Sequence, residues 1–190
     1  MKKVFIICIL SLVNSLCGFG QKELPVVKHN YFVGGIISFN IKATDIDHDN
    51  ITVSNRLTTF ELSPDLGYFI FNRLALGFQI NSLFTIQKYL IDGSSYRANS
   101  FLITPLIRYY IYQGFFAETG LGYGVKKTSD DKWNIYRGKV NLGYSIFLNE
   151  RTALEPIVSL VKTKENTLGN NNYKLSYLEL NFSLGLQSYF

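Results

Sequence analysis

Cysteine is almost missing from this 190-residue chain, and the two present, Cys8 and Cys17, both fall in its first twenty residues. If that segment is a cleaved leader, the mature chain carries no thiol, which excludes disulfide staples and thiolate-metal chemistry. Histidine is equally scarce, with only His29 and His48. A hydrolase or acyltransferase needs a nucleophile beside a positioned base, usually histidine. Neither histidine falls on a strand-like run beside a serine, so no enzyme is expected. The longest early apolar run, Val4-Phe5-Ile6-Ile7-Cys8-Ile9-Leu10, is well short of the ~20 residues a membrane helix requires, and no helical span is expected. Blocks of like charge are also lacking. The formal net charge of +5 is scattered and falls to +3 when Lys2 and Lys3 leave with the leader, so a nucleic-acid partner is not expected. Periodicity of the helical kind is absent throughout.

What is present begins with a leader pattern: Met1-Lys2-Lys3, the apolar run, then small and polar residues to Gly18-Phe19-Gly20. This order is that of a secretory signal, and residues 1–20 are expected to be removed, leaving 21–190 as one domain. An acylated Cys17 is the alternative, disfavoured by the bulky Leu16 before it. Fifteen glycines, thirteen tyrosines and fifteen phenylalanines stand against four prolines, a bias that suits an all-β protein with apolar and watery boundaries. Apolar and polar residues alternate with period two in eight runs, over 31–43, 56–70, 74–89, 98–112, 115–126, 135–148, 152–164 and 174–190. The connections alternate too. Tight ones at Phe71-Asn72-Arg73, Gln113-Gly114 and Asn149-Glu150-Arg151 are interleaved with long polar ones at 44–55, 90–97, 127–134 and 165–173. Short turns on one side and longer loops on the other are the pattern of an eight-stranded antiparallel up-and-down transmembrane β-barrel, all-β in class.

The chemistry of the two faces separates a membrane barrel from a soluble one. Leu178, Leu180, Phe182, Leu184, Leu186 and Phe190 oppose Glu179, Asn181, Ser183, Gly185, Gln187 and Tyr189, and Ala117, Thr119, Leu121 and Tyr123 oppose Glu118, Gly120, Gly122 and Gly124. A soluble barrel would carry Lys and Glu on its outer face, whereas here the polar face is small and glycine-rich, as a narrow lumen requires. Aromatic residues gather at strand ends. Tyr31, Phe32, Tyr68, Phe71, Tyr109, Tyr112, Phe115, Phe116, Phe147, Tyr189 and Phe190 mark the short-turn side, and Tyr89, Tyr96, Trp133, Tyr136 and Tyr173 the other. Two girdles at two water-lipid boundaries are expected from this placement.

Inward positions carry Lys42, Glu61, Asp65, Arg108, Glu118, Arg137, Lys139, Glu155 and Glu179. Opposite charges in one narrow lumen should pair, and a structural network around Arg108 with Glu118 and either Glu61 or Asp65 is expected to plug it. Asp45, Asp47, His48 and Asp49 have no calcium-loop spacing and read as an acidic loop, so no metal is expected. The run Gly120-x-Gly122-x-Gly124 precedes no helix and is no phosphate loop. No cofactor is expected.

The stretch from Thr58 through Pro64-Asp65-Leu66-Gly67-Tyr68 to Phe78 resembles a hairpin of the small outer-membrane β-barrel domain family of Bacteroidetes-type bacteria, the OmpA/OmpX/OmpW-like eight-stranded barrels. So do Phe101-Leu102-Ile103-Thr104-Pro105-Leu106-Ile107-Arg108-Tyr109-Tyr110 and Phe115-Phe116-Ala117-Glu118-Thr119-Gly120. The resemblance implies a monomeric barrel in the outer membrane of a Gram-negative bacterium, bounded by outer-membrane lipid, with both termini periplasmic. It also implies that Phe190 is the aromatic insertion signal read by the barrel-assembly machinery. Activity stays open. A structural or interaction protein with a plugged lumen and four extracellular loops is one expectation, and porin-like or gated transport of a small solute or apolar molecule is the alternative.

Overall fold

Period-two alternation puts successive side chains on opposite faces, and closing such a sheet into a barrel separates an inner from an outer face. A computed structural model describes residues 25–48, 51–89, 95–128, 132–167 and 174–190, with only the backbone described at 41–48, 51–56, 87–89 and 96. The strands are β1 (Tyr31–His48), β2 (Ile51–Phe71), β3 (Leu74–Tyr89), β4 (Ser95–Tyr112), β5 (Phe115–Lys127), β6 (Lys132–Tyr144, continued past Ser145 by Ile146–Phe147), β7 (Thr152–Thr167) and β8 (Lys174–Tyr189). Each pairs antiparallel with the next, and β8 returns to β1 through Phe32↔Tyr189 to Ile37↔Leu184. The result is a closed, eight-stranded, up-and-down barrel.

Several strands outrun the sequence expectation at their far ends. Within the connection expected over 44–55, residues 44–48 and 51–55 are strand, with β1 and β2 paired as far as His48↔Ile51. Ile46, Ile51 and Val53 keep the alternation going there, and β-branched residues favour the extended backbone. Asp45, Asp47 and His48 therefore stand on a strand, and Asp49 lies outside the described residues. The tight connections hold. At Gln113-Gly114 both residues have positive φ, 37° and 86°, the mirror-image turn whose twist matches that of the flanking strands. At the third, Asn149 Oδ1 accepts the backbone N–H groups of Arg151 and Thr152 at 2.8 Å each.

The side-chain faces are inverted relative to a water-soluble barrel. Outward Leu121 and Phe182 are 76% and 71% exposed, whereas inward Arg108 and Glu155 are 0% exposed. Bulky apolar groups outside and charges inside are stable only when the outer medium is apolar.

The inward aromatics correct one expectation. Phe32, Phe116 and Tyr189 point into the barrel, not into a girdle, and Phe147 packs against them half-buried. The reason is parity: their chain neighbours Tyr31, Phe115 and Phe190 occupy the outward positions. Glycine makes room for two of the rings. A Cβ at Gly67 would overlap the Phe32 ring, and one at Gly143 the Phe116 ring. Gly143→Val is expected to destabilise the barrel by about 1–3 kcal/mol through overpacking, while outward Leu142→Val is expected to be near neutral; urea midpoints of the two variants in detergent check this.

Candidate functional site: the filled lumen

The lumen is built in layers from the short-turn end. Its floor is aromatic, with Phe32, Phe69, Tyr110, Phe116 and Tyr189 buried together and Val26 packed against them. Ring centroids lie 6.0 Å apart for Phe32–Phe69 and 5.5 Å for Tyr110–Phe116, within the range for favourable tilted contacts. Residues 25–30 cross beneath this floor. The His29 N–H donates to the Phe69 carbonyl at 2.9 Å, and the Arg73 N–H to that of Val26 at 2.8 Å.

Above the floor sits Arg108 on β4. Its guanidinium carbon lies 4.6 Å from the Phe32 ring centre and 4.3 Å from that of Phe116, so two π-faces line it where water cannot. Three carboxylates surround the same group. Glu118 Oε2 lies 2.8 Å from both Nε and Nη2, Glu155 Oε2 3.0 Å from Nη1, and Asp65 Oδ2 3.9 Å from Nη2. Each carboxylate is held from behind. Glu155 Oε1 accepts hydroxyl bonds from Ser145 and Tyr189 at 2.6 Å each, and Asp65 accepts Gln187 Nε2 at 2.8 and 2.9 Å. Glu118 Oε1 accepts Lys139 Nζ at 3.0 Å and Asn141 Nδ2 at 2.8 Å. A buried ion cluster survives only when its remaining lone pairs are met in this way.

Higher again the lining turns to amides and hydroxyls. Gln79 Oε1 accepts Lys139 Nζ at 2.7 Å and Asn81 Nδ2 at 2.8 Å, and Thr104 donates to Asn81 Oδ1 at 2.7 Å. Glu61 meets Arg137 at 3.4 Å. This layer borders a small open vestibule lined among others by Glu61, Gln79, Arg137, Asn141, Ser159 and Asn181. Near the far end Lys126 pairs with Glu165 at 2.8 Å, and Tyr177 donates to Glu165.

The structure thus brings Asp65, Arg108, Glu118, Glu155 and Lys139 into one cluster. Glu61 does not reach Arg108, because it lies two inward positions beyond Asp65 on β2, and it takes Arg137 instead. Glu179 is half-buried on β8, and the side chain of Lys42 lies outside the described residues. Of the neutral members, Gln187 falls on the polar face read from the sequence and Asn141 and Ser145 share the parity of Lys139, whereas Gln79, Asn81 and Tyr110 went unnoticed. Ser145 donates to Glu155 and is only 3% exposed. Among the described residues no group of three or more His, Cys, Asp or Glu could hold a metal ion. Phe190 exchanges two backbone hydrogen bonds with Tyr31, at 2.8 and 3.0 Å, and stacks on its ring.

No family model matches the chain, and no curated protein matches it either. Among solved structures it is similar to the outer membrane protein OprG from Pseudomonas aeruginosa, at 15% identity and a TM-score of 0.49, over 88% of this chain and 99% of that one.

Proposed function

We propose that this chain is an outer-membrane barrel of structural or interaction type, whose lumen is stopped by its own side chains and whose longer connections face the cell exterior. The observation that carries the reading is the pair of stacked layers at the short-turn end: an aromatic floor and, on it, a fully buried Arg108 held by Glu118 and Glu155. An ion crossing there would have to part a charge cluster that the surrounding rings leave with no water to replace it. Outer-membrane lipid is the partner of the apolar wall, and the barrel works as a monomer. Purified protein in planar bilayers is expected to show no steady conductance above bare lipid; a large, steady conductance would overturn the stopped lumen. Orientation has its own test. Cysteines placed at Asn50, Ser95, Asp131 and Asn171 are expected to react with an impermeant maleimide on intact cells, and those at Asn72 and Glu150 are not; the reverse pattern would invert the topology.

A further inference from the structure

The charges on the barrel wall sort by face. Among the strand residues whose side chains are described, every carboxylate faces the lumen: Glu61, Asp65, Glu118, Glu155, Glu165 and Glu179. The charged residues that face outward are all cations. They are Arg97 on β4, Lys127 on β5, Lys132 on β6, Lys162 and Lys164 on β7 and Lys174 on β8, each exposed and each toward the long-connection end. Asp130 and Asp131 lie in the connection between Lys127 and Lys132, outside the described residues.

Strand length sets the height of these cations. Lys127 and Lys164 each stand twelve residues beyond the first residue of their strand, Phe115 and Thr152, at the short-turn end. A strand tilted ~40° climbs roughly 2.5 Å per residue, which puts both lysines ~30 Å above the short turns and just past an apolar band ~25 Å tall. Headgroups, not hydrocarbon, occupy that level. Outward Tyr123 and Tyr136 mark the boundary, with ring centroids 5.1 Å apart, and Tyr136 is the register partner of Lys164.

Two further features distinguish the β5–β7 part of this rim. Lys127 and Lys132 are direct register partners, an arrangement that repels unless an anion lies between them, and no described carboxylate shares their face at that end. Nearer the short turns, Gly138 faces outward between its register partners Leu121 and Lys162. A Cβ at Gly138 would meet only Leu121, at 3.6 Å, so the wall has a notch with an apolar side and a cationic side. The cations also fall into two groups at one height. Lys127 and Lys164 are two strands apart, roughly 10–13 Å along the wall, too far for one phosphate to bridge and within reach of a sugar pair phosphorylated at both ends.

We propose that the β5–β7 face at the long-connection end binds the phosphorylated glycolipid of the outer leaflet. One phosphate lies between Lys127 and Lys132, the other is held by Lys164 and Lys162, and an acyl chain runs over Gly138 beside Leu121. The inference rests on the membrane-barrel reading and on the orientation proposed with it.

Native mass spectrometry of the barrel released from phosphatidylcholine nanodiscs reads the lipid it keeps, with bisphosphoryl lipid A as the probe and phosphatidylglycerol and dephosphorylated lipid A as competitors. The parent is expected to keep bisphosphoryl lipid A in preference to either. Lys127→Gln, Lys132→Gln and Lys164→Gln together are expected to lower retention at least about tenfold, since each cation near a charged headgroup contributes separately. Lys28→Gln, Arg73→Gln and Arg151→Gln together remove as many cations from the short-turn end and are expected to leave retention unchanged. Gly138→Leu fills the notch without altering charge and is expected to lower retention several-fold. The proposal is overturned if phosphatidylglycerol or dephosphorylated lipid A is kept as readily, if the two charge triples behave alike, or if Gly138→Leu binds like the parent. A parent that never enters the nanodisc as a folded, gel-shifted barrel would take down the membrane reading itself.

Discussion

Replacing Arg108 by methionine is expected to cost the barrel about 3–5 kcal/mol, the penalty for removing one partner from a buried charge cluster. The size follows from what is left behind. Glu118, Glu155 and Asp65, at 2%, 0% and 4% exposure, would face one another with Lys139 as the neighbouring cation, and the two rings over the guanidinium would lose their cation. A barrel of ordinary stability has little more than this to lose. The control is the neutral replacement of the set, Arg108→Met with Glu118→Gln and Glu155→Gln. It removes the charges and the counter-charge together and is expected to recover most of the loss, because a hydrogen-bonded apolar-polar core replaces an ion cluster at little net cost. Urea unfolding in detergent, followed by the gel-mobility difference between folded and unfolded barrel, reads both. If the single variant unfolds at the parent midpoint, the cluster contributes nothing and the stopped-lumen account fails with it.

Arginine at Ile103 is expected to cost about 2–4 kcal/mol by the midplane penalty for a cation facing lipid. Ile103 lies on β4, outward and 52% exposed, between inward Leu102 and Thr104 at 0%. Were that face in water, the same substitution would fall within about 0.5 kcal/mol of neutral, as exposed surface changes usually do. The sign of the medium is therefore written into a single measured difference. Ile103→Leu should be indistinguishable from the parent by either unfolding midpoint or membrane-inserted yield.

Strand alternation and turn spacing made the architecture legible, because a β-barrel writes its inside and outside into residue parity. The inward set including Asp65, Arg108, Glu118 and Lys139 could be picked out on that basis. Partner choice could not. Arg108 and Glu155 are 47 residues apart and meet across the bore, so their contact depends on strand stagger, which no local pattern encodes. Arg108 and Glu118 were visible because a tight turn sets them directly opposite. Aromatics misled for a related reason: residues such as Phe115 and Phe116 look alike in composition, yet one faces outward and the other seats against Gly143 inside. The extended β1–β2 hairpin was hidden by its polar residues, Asp45, Asp47, Thr52 and Ser54, which dilute the apolar alternation.

Single nitroxide labels at consecutive β4 positions from Phe101 to Ile107, in lipid bilayers, put the apolar-medium premise to the most direct test. Labels at Phe101, Ile103, Pro105 and Ile107 should collide readily with dissolved oxygen and rarely with a water-soluble nickel chelate, and labels at Leu102, Thr104 and Leu106 should be shielded from both. A pattern in which the odd-numbered positions favour the nickel chelate would mean that water bathes this wall, and the account given for every face of the barrel would be contradicted.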